Sequence, residues 1–370
     1  MFPRLPSYLA RACGAGLALA LAGCSATPKT PVPTIELPPA ADTLRAPFRD
    51  AAGAVWLGGQ RWAVVSEGSG VVSIVDFAAR TLSPLGGRQS KELRNPFAVY
   101  AVADTLGVSD WGLRRVSLWT LDGKLARTIA ATAATRGALP RARDAAGRFY
   151  VAIMPRPGPD GSGNRDSAAI VRTTPDLARA DTVARLAPLD ITEVQGEAGR
   201  RFERRVFSGA DQWGVLPDGS IWIARVYQNR VEWLDPSGKV TRGESLPDRV
   251  LEVTRADREL FVRTFPPELR ATAEQLPYAA VKPPFESAFT GPDSTVWLHK
   301  SRSVADSSGR YQVVDRQGRL RREIRVPGYA RILAAGPSSA FAVEADSAGL
   351  LLLQFAVPAE APLVSGGEHR

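Results

Sequence analysis

The chain holds two histidines, His299 and His369, and two cysteines, Cys13 and Cys24, so acid–base, thiol and metal chemistry would start from very few side chains. His299 follows Trp297 and Leu298 in a run that reads as a strand, where a packed structural histidine is the ordinary occupant. His369 is the penultimate residue. A histidine-based metal site, a thiol nucleophile and a zinc ribbon are therefore excluded. Neither a Gly-x-Ser-x-Gly elbow nor a phosphate-cradling Gly-x-x-x-x-Gly-Lys loop is present. The run Asp160-Gly161-Ser162-Gly163-Asn164-Arg165-Asp166 spaces oxygen side chains as the start of a calcium loop does. Arg165 stands where that loop needs Gly, and Val171 where it needs a bidentate Glu, so a solvated surface loop is the reading. No metal and no cofactor is expected.

What remains is recognition. Polar stretches follow apolar strands at Glu67-Gly68-Ser69, Asp110-Trp111, 155–167, Tyr227-Gln228-Asn229, Lys300-Ser301-Arg302 and Glu344-Ala345-Asp346. Trp111 and Tyr227 are large rings placed in loops, and Arg225, Lys300 and Arg302 offer charge to an acidic group. These five are the candidate ligand-binding residues.

The elements that must position them repeat. Each unit reads as an apolar strand, a turn, a strand rich in Val, Ile and Trp, a polar loop, a third strand, a second turn and a fourth strand. The second turn is clearest in Asp235-Pro236-Ser237-Gly238, Asp315-Arg316-Gln317-Gly318 and Asp122-Gly123. The first turn is read at Asp50-Ala51-Ala52-Gly53, Asp144-Ala145-Ala146-Gly147, Pro217-Asp218-Gly219 and Pro292-Asp293-Ser294. Six units centre near residues 65, 110, 155, 225, 300 and 343. Six four-stranded sheets arranged radially cover one another's faces, so the expected fold is all-β, a six-bladed β-propeller over 43–358. That span gives about 53 residues per unit, above the 40 to 50 of common blades, which leaves room for insertions.

One insertion is legible at 248–284. Thr254-Arg255-Ala256-Asp257 has the form of a capping box, and Glu268 to Leu276 offers further helical turns, so this segment is expected to be helical. A strand reading of 250–263 would instead give a seventh blade. The last unit, Phe341 to Pro358, lacks a fourth strand, which either Pro33 to Leu37 or Thr43 to Phe48 is placed to supply.

The repeat resembles six-bladed propellers of the NHL and TolB-like kind found in envelope lipoproteins, and such turn and core signals specify fold rather than chemistry. Metal-dependent lactonases share the six-bladed plan and hold a divalent ion with acidic and amide side chains at the axis. That resemblance implies an alternative, a lactonase or related hydrolase, for which Glu67, Asp110, Asp144 and Glu344 are acidic residues at hand.

At the amino end, Arg4 and Arg11 precede a short apolar run that ends in Leu21-Ala22-Gly23-Cys24. Leu-Ala-Gly-Cys resembles a bacterial lipobox, which implies a signal peptide over 1–23, lipidation of Cys24 and attachment to the membrane through that lipid alone. Ser25, in place of Asp, is what such lipoproteins carry when sorted to the outer membrane, facing the periplasm or the cell surface. The run is shorter than the roughly 20 residues that span a bilayer. Cleavage before Cys24 leaves 347 of the 370 residues, lowers the net charge from +9 to +7 and removes any disulfide. Residues 24–42, with Pro28, Pro31, Pro33, Pro38 and Pro39, read as a semi-rigid spacer, and 359–370 as a frayed tail.

The positive charge is scattered, without the like-charge run of a nucleic-acid arm, so nucleic acid is not an expected partner. Taken together, the residues lead to a monomeric, non-catalytic, lipid-anchored propeller. Its partner would be an envelope protein or a glycan.

Overall fold

The computed structural model describes residues 32–86, 91–156, 166–196 and 199–358. Cys24, the signal peptide, residues 157–165 of the polar loop and the 359–370 tail lie outside the described residues.

Six four-stranded antiparallel blades follow one another. The first strands are Gly53–Gly58, Pro96–Val102, Ala142–Arg143, Gln212–Val215, Phe285–Thr290 and Arg331–Ala335, and they open blades 1 to 6 in that order. Each first strand contacts the first strand of the next blade, and that of blade 6 returns to that of blade 1, so the strands close a ring. Second strands, such as Arg61–Ser66 and Val296–Lys300, are almost wholly buried, whereas the fourth strand of blade 4, Val240–Arg242, is exposed along its length. The chain thus runs outward within each blade.

What holds the ring is apolar packing between neighbouring blades. Six hydrophobic clusters occur among the described residues, one at each blade interface. Tryptophans dominate: Trp62, Trp119, Trp222 and Trp297 are fully buried. Some also bond across an interface. The Trp222 Nε1 donates to Thr290 Oγ1 of blade 5 at 2.8 Å, and Trp62 Nε1 donates to Gln354 Oε1 of blade 6 at 3.1 Å. Trp222 and Trp62 thereby satisfy their one polar atom while removing a large apolar area from water.

Ring closure uses both segments the sequence offers. Asp42–Arg45 pairs antiparallel with Gly349–Ala356 and completes blade 6. Thr34–Glu36 pairs in parallel with Leu320–Pro327 and adds a fifth strand to blade 5. The spacer reading of 24–42 is accordingly corrected from Thr34 onward. Ile35 packs against the core and Leu37 is buried in it, with Leu37 N–H donating to Arg325 O at 2.9 Å. Pro38 and Pro39 lie between the two strands, where no ladder N–H is required of them.

The turns follow their residues. Gly238 and Gly318 hold φ of 94° and 74°, and the Asp235 and Asp315 carboxylates each accept two backbone N–H groups of their own turn. One turn assignment is corrected. Asp50 to Ala52 precedes the first strand of blade 1, and the first turn of that blade lies between Gly58 and Arg61.

Two connections between blades are long. Between blades 3 and 4 stands a hairpin, Ile191–Gly196 with Gly199–Arg204, which has no counterpart in the sequence reading. Between blades 4 and 5 stand helix α1, Arg255–Arg263, and helix α2, Arg270–Glu274. The capping box forms as the sequence predicts: Thr254 accepts from Asp257 N–H and the Asp257 side chain accepts from Thr254 N–H. Helix over 255–263 removes the strands a seventh blade would need. The insertion is seated by the Lys282–Asp257 ion pair at 2.6 Å and by the rings of Phe207, Phe261, Phe265 and Tyr278.

Candidate functional site

Connections from fourth to first strands, and turns from second to third strands, emerge at the same end of every blade by the antiparallel topology. All five sequence-predicted residues lie at that rim, but they are not equivalent there.

Carboxylates stitch much of the rim together. Asp110 is fully buried and accepts from Arg94 N–H at 2.6 Å, Asn95 N–H at 3.1 Å and Leu113 N–H at 2.9 Å. Asp50 accepts from Ser66 Oγ and Gly68 N–H, and Asp211 from Ala187 N–H and Val226 N–H. Each ties an incoming connection to the adjacent turn. Orphan backbone donors are thereby satisfied.

Two of the predicted cations are spent in the same way. Arg225 pairs with Asp211 and Glu232, both at 2.8 Å, and donates to Arg185 O of blade 3 at 2.8 Å. Lys300 is wholly buried, its ammonium 3.1 Å from the Asp248 carboxylate and 3.4 Å from Asn229 Oδ1. Burial pulls the Lys300 ammonium below its ordinary value, and Asp248 opposes that pull. Both cations therefore sit beneath the rim as internal partners rather than open charges.

The predicted rings are exposed. Tyr227 is more than half exposed, with its hydroxyl donating to Pro188 O at 3.1 Å. Trp111, about half exposed, stacks on Phe97 with ring centres 5.1 Å apart, and the Arg141 guanidinium lies 5.5 Å from the Phe97 ring centre. Trp111 belongs to blade 2, whereas Arg225 and Tyr227 belong to blade 4 and Lys300 and Arg302 to blade 5. Only the blade 4 and blade 5 residues are linked, through the Asn229–Lys300 contact.

Arg302 leads to a group that the sequence did not single out. Its guanidinium lies over the Tyr329 ring at 4.7 Å, and its carbonyl accepts from Lys282 Nζ at 2.8 Å. Among the described residues neither Arg302 nor Arg331 is within ion-pair distance of a carboxylate; Arg331 donates to Ala51 O at 2.7 Å. Both lie close enough to Glu286 and His299 to act on their titration. Glu286 is the extra residue of a bulge, since Phe285 faces Lys300 while Ser287 faces His299. A bulge re-aims the side chain it carries. The Glu286 carboxylate stands 3.9 Å from His299 Nδ1, which is buried and has no hydrogen-bond partner.

The His299 ring stacks on Tyr311 at 4.7 Å. Burial, then the charges of Arg331 and Arg302, push its imidazole down to about 4, so at neutral pH it carries no charge. Burial pushes the Glu286 carboxyl up, while Arg302, Lys282 and Arg331 hold it back. About half of the Glu286 side chain is nonetheless accessible to water.

Chemically, the arrangement offers two open guanidinium groups around a neutral imidazole and a displaced carboxyl, which suits binding of an anionic group. The acidic residues singled out for a lactonase-type divalent ion do not form one cluster among the described residues. Among the described residues no three His, Cys, Asp or Glu side chains come together as ligands. Asp110 is occupied as above, Asp144 accepts from Arg148 and Tyr150 on the opposite face, Glu344 accepts from Tyr329 N–H, and Glu67 is exposed.

Neither the comparison with protein-family models nor that with curated protein sequences gives a match. Among solved structures, regucalcin from Agrobacterium tumefaciens, described as a calcium-binding protein, is 10% identical with a TM-score of 0.44, over 89% of this chain and 98% of that one. A DUF4221 family member from Bacteroides vulgatus is 8% identical with a TM-score of 0.45, over 86% and 94%. Virginiamycin B lyase from Staphylococcus aureus is 8% identical with a TM-score of 0.41, over 85% and 98%. At this distance the likenesses carry no argument about activity, and the six-bladed assignment stands on the strand ladders themselves.

Proposed function

We propose that this protein is a non-catalytic binding propeller of the bacterial envelope, held to the membrane through Cys24, whose rim takes an acidic ligand at Arg302 and Arg331. One observation carries this reading: these two guanidinium groups lie beside Glu286 and the buried His299 and form no ion pair among the described residues, whereas Arg225 and Lys300 are paired. An anion arriving there meets forked donors already oriented, Arg302 by Tyr329 and Arg331 by Ala51 O. Neutral His299 contributes an imidazole that adds no competing charge, and Glu286 admits the anion more readily once protonated. Trp111 on Phe97 and the exposed Tyr227 extend the rim with flat apolar faces, on which a glycan or a partner's side chains can rest.

Retention on immobilised polygalacturonate, against the neutral polymer amylose, tests the binding claim. Preference for the acidic polymer, lost in Arg302→Ala and Arg331→Ala chains of unchanged thermal stability, supports it. Equal retention on both polymers contradicts it. The anchor is tested separately by mass spectrometry of protein from native membranes, where an acylated amino-terminal Cys24 is expected and an unmodified one contradicts lipidation.

A further inference from the structure

A cleft lined by none of Glu286, His299, Arg302 or Arg331 lies in the insertion between blades 4 and 5. It has a volume of about 730 Å³ and is lined by Arg255, Arg258, Arg263 and Arg270. Its apolar and aromatic surface comes from Val262, Leu276 and Tyr278, and two glutamates, Glu259 and Glu274, oppose the four arginines. That volume lies within the roughly 300 to 1,000 Å³ of small-ligand sites.

The cations are arranged rather than merely numerous. Arg255 is neutralised by Glu259 at 2.7 Å on the exposed face of α1. The other three are not paired with carboxylates among the described residues: Arg258 lies 5.0 Å over the Tyr278 ring, Arg263 Nε donates to Glu259 O at 3.3 Å, and Arg270 Nε donates to Phe265 O at 3.1 Å. Bonding through Nε fixes the plane of a guanidinium while its two terminal nitrogens stay open, which is the fork that grips a tetrahedral oxyanion. The frame beneath is rigid: the capping box, the buried Lys282–Asp257 pair and the packing of Phe261 on Phe207 and Tyr278 set α1 against the propeller. None of the three arginines contributes to that seating except Arg258, through its ring contact.

We propose that this cleft is a second binding site, for a phosphate-bearing anion. At neutral pH a phosphate group carries one negative charge as a diester and close to two as a monoester, with several acceptor oxygens in either case, which suits three open forks offset by Glu274. The shared chemistry covers a free phosphate compound and a phospholipid headgroup alike. Tyr278, Val262 and Leu276 would then face the less polar part of the same molecule.

The test uses the full chain with two probes, inorganic pyrophosphate in solution and phosphatidylglycerol vesicles read against phosphatidylcholine vesicles, to which any acyl anchor contributes equally. Binding of either probe, weakened at least tenfold in Arg258→Gln/Arg270→Gln and unchanged in Arg302→Ala, is the expected result. Pyrophosphate binding identifies a soluble ligand, and a preference for phosphatidylglycerol without pyrophosphate binding identifies a headgroup. Because Arg258 touches Tyr278, Arg263→Glu serves as a second variant that leaves that ring contact in place, and it is expected to weaken binding to the same degree. Failure to bind both probes overturns the proposal, as does binding that these substitutions leave unchanged or that Arg302→Ala abolishes.

Discussion

Phe97 of blade 2 and Glu286 of blade 5 occupy the same structural position: each is the extra residue of a bulge at the rim end of its blade's first strand. In one blade the bulge delivers a ring to Trp111, and in the other a carboxylate to His299. The same backbone device thus aims an apolar group and an ionisable one into the rim.

Glu286 makes ligand affinity depend on pH. Burial raises its carboxyl, so acidification neutralises it earlier than an ordinary glutamate and removes a negative charge that an acidic ligand would face. Affinity for oligogalacturonate, measured calorimetrically from neutral to mildly acid pH, is expected to rise as pH falls. Glu286→Gln is expected to bind at neutral pH as tightly as the parent does in acid, and a parallel pH profile for both chains would refute the role.

His299 makes stability depend on pH in the opposite sense. Between its ordinary value of 6.5 and its folded value of about 4, the unfolded chain holds a proton on this imidazole that the folded chain does not, so stability falls as pH falls through that window. The loss approaches about 3 kcal/mol by pH 4, partly offset by Glu286, which takes up its proton more readily in the folded state. Denaturant unfolding of His299→Gln should show a flatter pH dependence than the parent. An unchanged slope would mean that His299 titrates normally.

Lys300 and Asp248 join the second strand of blade 5 to the connection leaving blade 4. Asp248→Asn leaves a buried ammonium without its counter-charge and is expected to cost about 3 kcal/mol or more of stability. Arg302→Ala, at the same rim but outside any ion pair, is expected to cost under about 1 kcal/mol. Chemical denaturation of the two chains distinguishes a structural lysine from an open arginine; equal losses would contradict that division.

Leu37 tests whether the proline-rich segment belongs to the fold. It is buried between blades 5 and 6, so Leu37→Ala is expected to lower stability by about 2 to 5 kcal/mol. A melting temperature equal to the parent's would restore the reading of this segment as a spacer.

Much of the architecture was legible because it rests on local chemistry. Asp-x-x-Gly turns demand positive φ at the glycine, Thr254 and Asp257 form their box within four residues, and buried tryptophans sit on β-branched strands. Ring closure was legible only as a choice, since pairing of Asp42–Arg45 with Gly349–Ala356 spans the whole chain. The hairpin over 191–204 was missed because its strands are polar and arginine-rich and follow no apolar alternation. Glu286 was missed for another reason: Pro284-Phe285-Glu286-Ser287 has no motif, and the residue gains its meaning from a bulge and from a histidine across the ladder. Conversely, Arg225 and Lys300 have the residue type of ligand contacts, and only their distances to Asp211, Glu232 and Asp248 show them engaged within the protein. Residue type marks the rim; pairing decides which charges stay open.

The most direct measurement of the central claim uses the scarcity of histidine. With His299 and His369 the only two in the chain, histidine nuclear magnetic resonance signals report the axial site through His299 while His369 serves as an internal reference. Titration with oligogalacturonate at neutral pH is predicted to shift the His299 signal alone, and the shift is predicted to vanish in Arg302→Ala/Arg331→Ala. A His299 signal unmoved at saturating oligogalacturonate, or one that moves equally without the two arginines, would contradict acidic-ligand recognition at this rim.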